Sequence, residues 1–316
     1  MNRLLVLYSF APSLYLRDSP FYYSFMNYTI KNSDLEVSIT KRGIELCSVI
    51  SLKTGKEYMW RADQDVWGSH APVLFPIIGA LKNGELFYKE KSYPVPKHGL
   101  VRHSEKVERM EQTSDSILFK LKWDEESLKK YPFKFEFLTH YSLEDHTLTI
   151  HHTVKNPGDE MMYFSLGGHP AFNCPFFDGD EYEDYYLDFE EEETDSTWLL
   201  DNSGLVSTNR TLILNDTSTL PLHKDLFNND ALIFKELRSR KVSLVSKNHG
   251  KVLSVNFDGF PYLGIWAKPA SPFVCIEPWL GITDASDSTQ KIEEKEGMLI
   301  LDPGAEFEAE YSITFY

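Results

Sequence analysis

The chain has 316 residues, a hydrophobic fraction of 42% and 25% charged residues, a balance that excludes wholesale disorder and lets the chain bury a substantial core without staples. Net charge is −16, but the window 178–209 holds twelve Asp and Glu and no Lys or Arg, which leaves 36 acids against 32 bases elsewhere. Acidity is therefore local, no basic stripe exists, and binding to a nucleic-acid backbone, which needs clustered Lys and Arg, is excluded.

At the N-terminus the apolar stretch 4–16 follows Arg3 and superficially resembles the start of a signal peptide. It has one charge ahead of it and no convincing small-x-small site. Regular patterning begins only at Met26, so residues 1–25 are read as an extension, dispensable for folding and activity. From Leu35 onward the dominant signal is period-two alternation, the mark of strands with one face in the core and one in water. It runs through Leu35, Val37 and Ile39, then Ile117, Phe119, Leu121 and Trp123. Residues 125–131 form the best short helical candidate. Alternation resumes at Phe135, Phe137, Thr139, Tyr141 and Leu143, then at Leu148, Ile150, His152 and Val154. In the acidic window the four glutamates 190–193 read as a solvated face, because a calcium loop needs a turn with alternating oxygen ligands. Residues 224–226 suggest a turn, and Phe307, Ala309, Tyr311, Ile313 and Phe315 close the chain as another strand.

Between these runs stand Asn83-Gly84, Asn156-Pro157-Gly158, Asp258-Gly259 and Asp302-Pro303-Gly304, where glycine accepts positive φ and proline presets a bend. Most connections read as hairpins. No βαβ rhythm, internal repeat or Gly/Ser or Pro-rich linker interrupts the pattern, so the expected fold is all-β, a single large antiparallel sandwich over 26–316. No apolar run approaches the roughly 20 residues of a membrane span, so no membrane partner is expected. Cys47, Cys174 and Cys275 are odd in number and show no C-x-x-C spacing, which fits a reducing cytoplasm.

No Walker loop, dinucleotide fingerprint, nucleophile elbow or H-E-x-x-H motif is present. His151 and His152 are adjacent in a strand, point to opposite faces and cannot share a metal. Three polar clusters beside glycine or proline remain: one around His98 and Arg102, one around His169 and Asn173, and one around Glu277 and Trp279. His169 follows two glycines that let a ligand approach the backbone and precedes a stiffening proline. It can serve as a general acid near neutral pH, or merely cap a turn. Glu277 follows the apolar run 273–276 and precedes Pro278-Trp279, which suits a base under a sugar ring stacked on an indole; the competing reading is a surface glutamate. Asp230, taken alone, reads as a turn residue.

The segments FPIIGALKNGELFY, VPKHGLVR, SLGGHPAFNCP and IEPWLGITDASDS, in this order, resemble the galactose mutarotase-like superfamily, in particular its LacX-type aldose 1-epimerase branch. The resemblance extends from Met26 to Tyr316. It implies a β-supersandwich with a sugar site on its concave face, no metal and no cofactor. By motif, His169 would be the general acid, Glu277 the general base, His98 a binding and polarising histidine, and Asp230 a ligand of sugar hydroxyls. Arg102, Asn173 and Trp279 complete the expected substrate-binding set. One departure stands out: where the branch continues FPI-x-G with arginine, this chain has Ala80, and Lys82, expected on the same face of an extended segment, is the candidate to replace it, without the forked contacts of a guanidinium. The expected activity is interconversion of α and β anomers of a hexose or hexose phosphate by a monomer or homodimer. The alternatives are a non-catalytic carbohydrate-binding protein and a glycoside hydrolase pairing Glu277 with Asp230 or Asp284.

Overall fold

The alternating runs become strands whose inward residues are buried. In Glu136–Glu144 these are Phe137, Thr139, Tyr141 and Leu143, and in Thr147–Lys155 they are Leu148, Ile150, His152 and Val154. The computed structural model describes residues 27–316; the extension 1–25 and the expected start at Met26 lie outside the described residues. Strand takes up 51% of the described residues and helix 6%, as the all-β expectation requires.

Nine antiparallel strands make one sheet. Its order is Val206–Pro221, Tyr185–Leu200, Lys241–Ser246, Gly250–Asn256, Glu306–Phe315, Thr147–Lys155, Glu136–Glu144, Ser116–Lys122 and Glu108–Gln112. The second sheet runs Leu232–Phe234, Tyr262–Trp266, Phe273–Leu280, Leu166–Gly168, Val73–Leu74, and Ala171–Asn173 also pairs with Phe273–Leu280. The two pack through aromatic side chains: Phe75 stacks on Phe137 with ring centres 4.7 Å apart. Gly168 approaches Tyr311 so closely that a β-carbon there would strike the phenol oxygen. One apolar cluster extends from Ile30 to Phe315.

His152 and His151 do face opposite ways. His152 is fully buried opposite Thr139, whose hydroxyl lies 3.0 Å from Nδ1, and burial lowers its pKa to about 3. His151 meets Glu310 at the surface. The helix is shorter than the expected 125–131: it spans Glu125–Leu128, opened by a capping box between Asp124 and Ser127. It stops before Tyr131 because Pro132 disfavours helical backbone at the residue preceding it.

The structure corrects two expectations. All four Gly- and Pro-marked turns join strands of different sheets rather than hairpin partners. Such residues reverse the chain without choosing its next neighbour, and a two-sheet fold must change sheets often. The tight hairpins use other residues: Lys89 and Glu90, both with positive φ, join Glu85–Tyr88 to Lys91–Pro94, and Asp145 turns Glu136–Glu144 into Thr147–Lys155. Within the glutamate run, positions 190–192 are exposed but Glu193 is buried, accepting hydrogen bonds from the backbone N–H of Arg238 at 3.1 Å and Ser239 at 2.7 Å. The strand pairing is irregular between Asp188 and Glu193, which leaves Glu191 outward, and regular alternation from Glu193 onward turns its side chain inward, where these two donors satisfy the carboxylate.

Candidate active site

Phe273–Leu280 is buried at every position, so its two faces cannot be told apart by polarity. Alternation places Phe273, Cys275, Glu277 and Trp279 on one face. Across the ladder Glu277 stands opposite Gly264 and Trp279 opposite Tyr262. Gly264 lies directly under Trp279, whose indole occupies the space a side chain would need. The indole thus lies beside the Glu277 carboxylate. Glu277 is only 1% exposed. Burial pushes its pKa well above the usual carboxylate value; the Lys97 cation and the nearby Trp279 indole N–H pull it back, and the Asp230 charge raises it.

His169 emerges from Leu166–Gly168 and is anchored by the next residue, since the Pro170 carbonyl accepts from Ile276 N at 3.2 Å. Its Nε2 lies 3.3 Å from Glu277 Oε2, close but without hydrogen-bond alignment. Glu277 Oε2, His169 Nδ1 and Trp279 Nε1 are all buried with no hydrogen-bonding partner, the condition expected of groups that face a ligand. Burial first, then the charges of Arg102 and Lys97, lowers the His169 pKa to about 3.

His98 completes the polar group, its ring edge-on to His169 with centres 5.5 Å apart. The Gly79 N–H donates to His98 Nδ1 at 3.2 Å. Burial, followed by the charges of His169 and Arg102, keeps His98 neutral. With Nδ1 accepting, the ring proton sits on Nε2, which becomes a donor. The same contact explains the motif residues. His98 and Gly99 take positive φ in succession, and the Leu100 N–H bonds the Phe75 carbonyl at 2.7 Å, zipping the VPKHGLVR loop to FPIIG. Gly99→Ala would place its β-carbon against that carbonyl oxygen. It is expected to destabilise the fold by more than the ~1–3 kcal/mol of left-handed strain alone, read as a lower melting temperature together with lost activity.

Aromatic walls surround the pair. Trp67 stacks on His169 with centres 5.0 Å apart, and Trp266 meets the same ring edge-on at 5.9 Å. The loop carrying Trp67 is held by the Trp60 indole donating to the Trp67 carbonyl at 2.8 Å and by Lys268 Nζ donating to the Val66 carbonyl at 3.0 Å. Arg102 is half-buried, reaches Ser69 Oγ at 3.3 Å and leaves Nε without a partner. Both histidines feel its charge.

His98, Arg102, His169, Glu277 and Trp279 therefore converge, and Asp230, exposed at a turn with positive φ, is near enough for its charge to act on Glu277. Two expected residues are engaged elsewhere. Lys82 opens a 3₁₀ turn instead of continuing an extended segment, and its ammonium donates to the Ser288 carbonyl at 3.0 Å. Asn173 donates its amide to the Glu57 carbonyl at 2.9 Å and pairs with Phe273, four residues along the strand from Glu277, roughly 13 Å away. Sequence reasoning missed Trp67, Trp266 and the electrostatic reach of Lys97. A cavity of about 460 Å³ walled by Trp198, Tyr262, Lys235 and Glu296 borders the same sheet. It gathers no histidine, so chemistry and not volume marks the site.

The family model for aldose 1-epimerase matches residues 26–314. The chain belongs to the aldose 1-epimerase family. Protein LacX of Lactococcus lactis subsp. lactis is 36% identical over 304 residues, which cover 92% of this chain and 99% of that protein. The structure of a galactose mutarotase related enzyme from Lactobacillus acidophilus superposes with a TM-score of 0.88 at 43% identity, covering 92% of this chain and 97% of that one. A galactose mutarotase-like protein from Lactobacillus casei ATCC 334 gives 0.86 at 29% identity, covering 92% and 100%. This epimerase is thus a mutarotase-like isomerase on a galactose mutarotase-like β-sandwich. Among the described residues no helix is long and apolar enough to cross a membrane.

Proposed function

We propose that this epimerase interconverts the α and β anomers of a hexose or hexose phosphate by opening and re-closing the sugar ring, with His169 and Glu277 exchanging the protons. The observation that carries the reading is the buried pair, 3.3 Å apart, with unpartnered polar atoms beneath aromatic walls. Ionised Glu277 takes the C1 hydroxyl proton while protonated His169 gives its proton to the ring oxygen, and the C1–O5 bond breaks. The aldehyde turns about C1–C2. Closure returns both protons, so the cycle leaves the enzyme unchanged and needs no cofactor. Partly exposed Trp67 and Trp266 give the pocket an apolar rim against which the apolar side of a sugar can pack, and the neutral His98 offers an Nε2–H donor to an oxygen.

After ring opening Glu277 holds the proton and His169 is neutral. Burial favours this state, raising Glu277 and lowering His169. The dry pocket therefore matches the protonation of the open-chain complex, which is the high-energy species of the cycle, and penalises the ion pair required by the cyclic one. A pH consequence follows. The pair holds one proton from the His169 value near 3 up to the raised value of Glu277. Below the lower limit both groups are protonated and no base remains; above the upper one neither is, and no acid remains. Activity is expected to be flat between these limits, falling as pH drops through the first or rises through the second. A narrow optimum confined between the ordinary values of about 4.3 and 6.5 would contradict this assignment.

A hydrolase would need a second free carboxylate. Asp284 is committed to the backbone N–H groups of Lys82 at 3.0 Å and Ala285 at 3.2 Å, which leaves exposed Asp230 as the one carboxylate of the two that a hydrolase could pair with Glu277. The test is optical rotation on a panel of freshly dissolved aldoses and their 6-phosphates. Acceleration with at least one supports the proposal. Buffer-catalysed rates throughout would refute it, and release of reducing sugar from glycosides would point to hydrolysis.

A further inference from the structure

The face of Phe273–Leu280 that carries Glu277 also carries Cys275, two residues earlier, a position the proton exchange does not use. In a strand, residues i and i+2 project side by side from one face. His169 arrives above them from its loop. One ring nitrogen of His169, the Cys275 sulfur and one Glu277 carboxylate oxygen all lie within 4.8 Å of one another, and all three residues are buried. Glu277 Oε2 and His169 Nδ1 have no hydrogen-bonding partner. We propose that this trio is a binding site for Zn²⁺, and that zinc and sugar exclude each other there, so that the metal switches the epimerase off.

Sulfur, imidazole nitrogen and carboxylate oxygen form a donor set suited to zinc, with three protein ligands and a fourth position open toward the sugar space for water. Tetrahedral bonds of about 2.0–2.3 Å place donors roughly 3.4–3.7 Å apart, so side-chain rotations of about 1 Å close the cage. Ca²⁺ and Mg²⁺ prefer oxygen donors and are disfavoured by a thiolate and an imidazole. Charge also balances: the thiol and the carboxyl each release a proton to solvent, and one dication with one thiolate and one carboxylate is neutral overall. Burial holds the Cys275 thiol and the Glu277 carboxyl in their neutral forms, so the metal itself must displace both protons, and the bonds it forms have to outweigh that cost and the nearby Lys97 and Arg102 cations. The bound metal occupies the lone pairs that His169 and Glu277 use for proton exchange. The loss of activity thus rests on the proposed function, whereas metal binding does not.

The experiment uses the full chain freed of metal by a chelator, with Co²⁺ as a spectroscopic stand-in. One equivalent of Co²⁺ is expected to produce a near-ultraviolet thiolate-to-cobalt band that Zn²⁺ removes. The band should be absent from Cys275→Ala and retained in Cys174→Ala. Zinc affinity should fall at least about 100-fold in Cys275→Ala, since even the loss of an outer partner of a metal ligand costs 10- to 100-fold. Melting temperature, and Cys275→Ser as a size-preserving variant, separate this loss from misfolding. In parallel, Zn²⁺ should abolish anomer exchange by the unmodified protein reversibly on chelation and compete with sugar, while the rate of Cys275→Ala, whatever its metal-free value, should not fall further on adding zinc. No cobalt band, unchanged zinc affinity in Cys275→Ala, or full exchange by the zinc-loaded protein would overturn the proposal. If the metal-free protein catalyses no exchange at all, the functional reading fails and the cobalt band still decides the metal site.

Discussion

Glu277→Gln is expected to slow anomer exchange by about 100- to 10,000-fold, the usual contribution of a positioned proton-transfer group, with sugar affinity nearly kept. Glutamine preserves the shape and one acceptor oxygen but cannot take the C1 proton. Because burial favours the neutral form of Glu277, an uncharged amide should be accommodated at little cost. Melting temperature should therefore hold or rise while turnover collapses. Titration of the sugar with the variant, followed by tryptophan fluorescence from Trp67 and Trp266, separates binding from turnover. A rate near that of the unmodified protein would remove Glu277 from the mechanism.

His169→Gln should produce a loss of similar size, and the double variant should be no slower than the slower single variant. Each ring opening needs both transfers at once, so removing either already disables the unit, and the penalties do not add. Independent roles would instead multiply the two losses. His98→Ala should differ in kind. It removes the Nε2–H donor and weakens binding as well as turnover, and it strips the Gly79 N–H of its acceptor, which costs about 1–3 kcal/mol of stability. A variant that lost turnover with unchanged affinity would move His98 from holding the sugar to exchanging its protons.

Strands with one wet face were legible, because alternation at 135–143 and 148–154 survives in the burial pattern. The strand carrying the base was not legible that way, since both its faces are covered and its residues are buried throughout. It was found through the Glu-Pro-Trp cluster. His98, His169 and Glu277 were recognisable because glycine and proline mark the loops or strand ends that present them. The aromatic walls were hidden: Trp67 lies in a stretch with no periodicity, and Trp266 reaches His169 only through its pairing with Cys275 across the sheet. Lys82 failed for a local reason, because Asn83 adopts left-handed backbone and turns the segment before it can extend. The turn signals marked the ends of strands, but turn residues carry no information on which sheet receives the next strand, and at all four it is a different sheet.

The central claim is that the His169 and Glu277 pair moves protons and does not merely hold a sugar. The most direct measurement is magnetisation exchange between the α and β anomeric protons of a hexose already at anomeric equilibrium, with catalytic amounts of the unmodified protein. No net reaction occurs there, so only catalysed ring opening connects the two signals. The account predicts exchange between them well above the buffer rate, lost in Glu277→Gln. Sugar signals broadened by binding, with exchange no faster than in buffer, would contradict it.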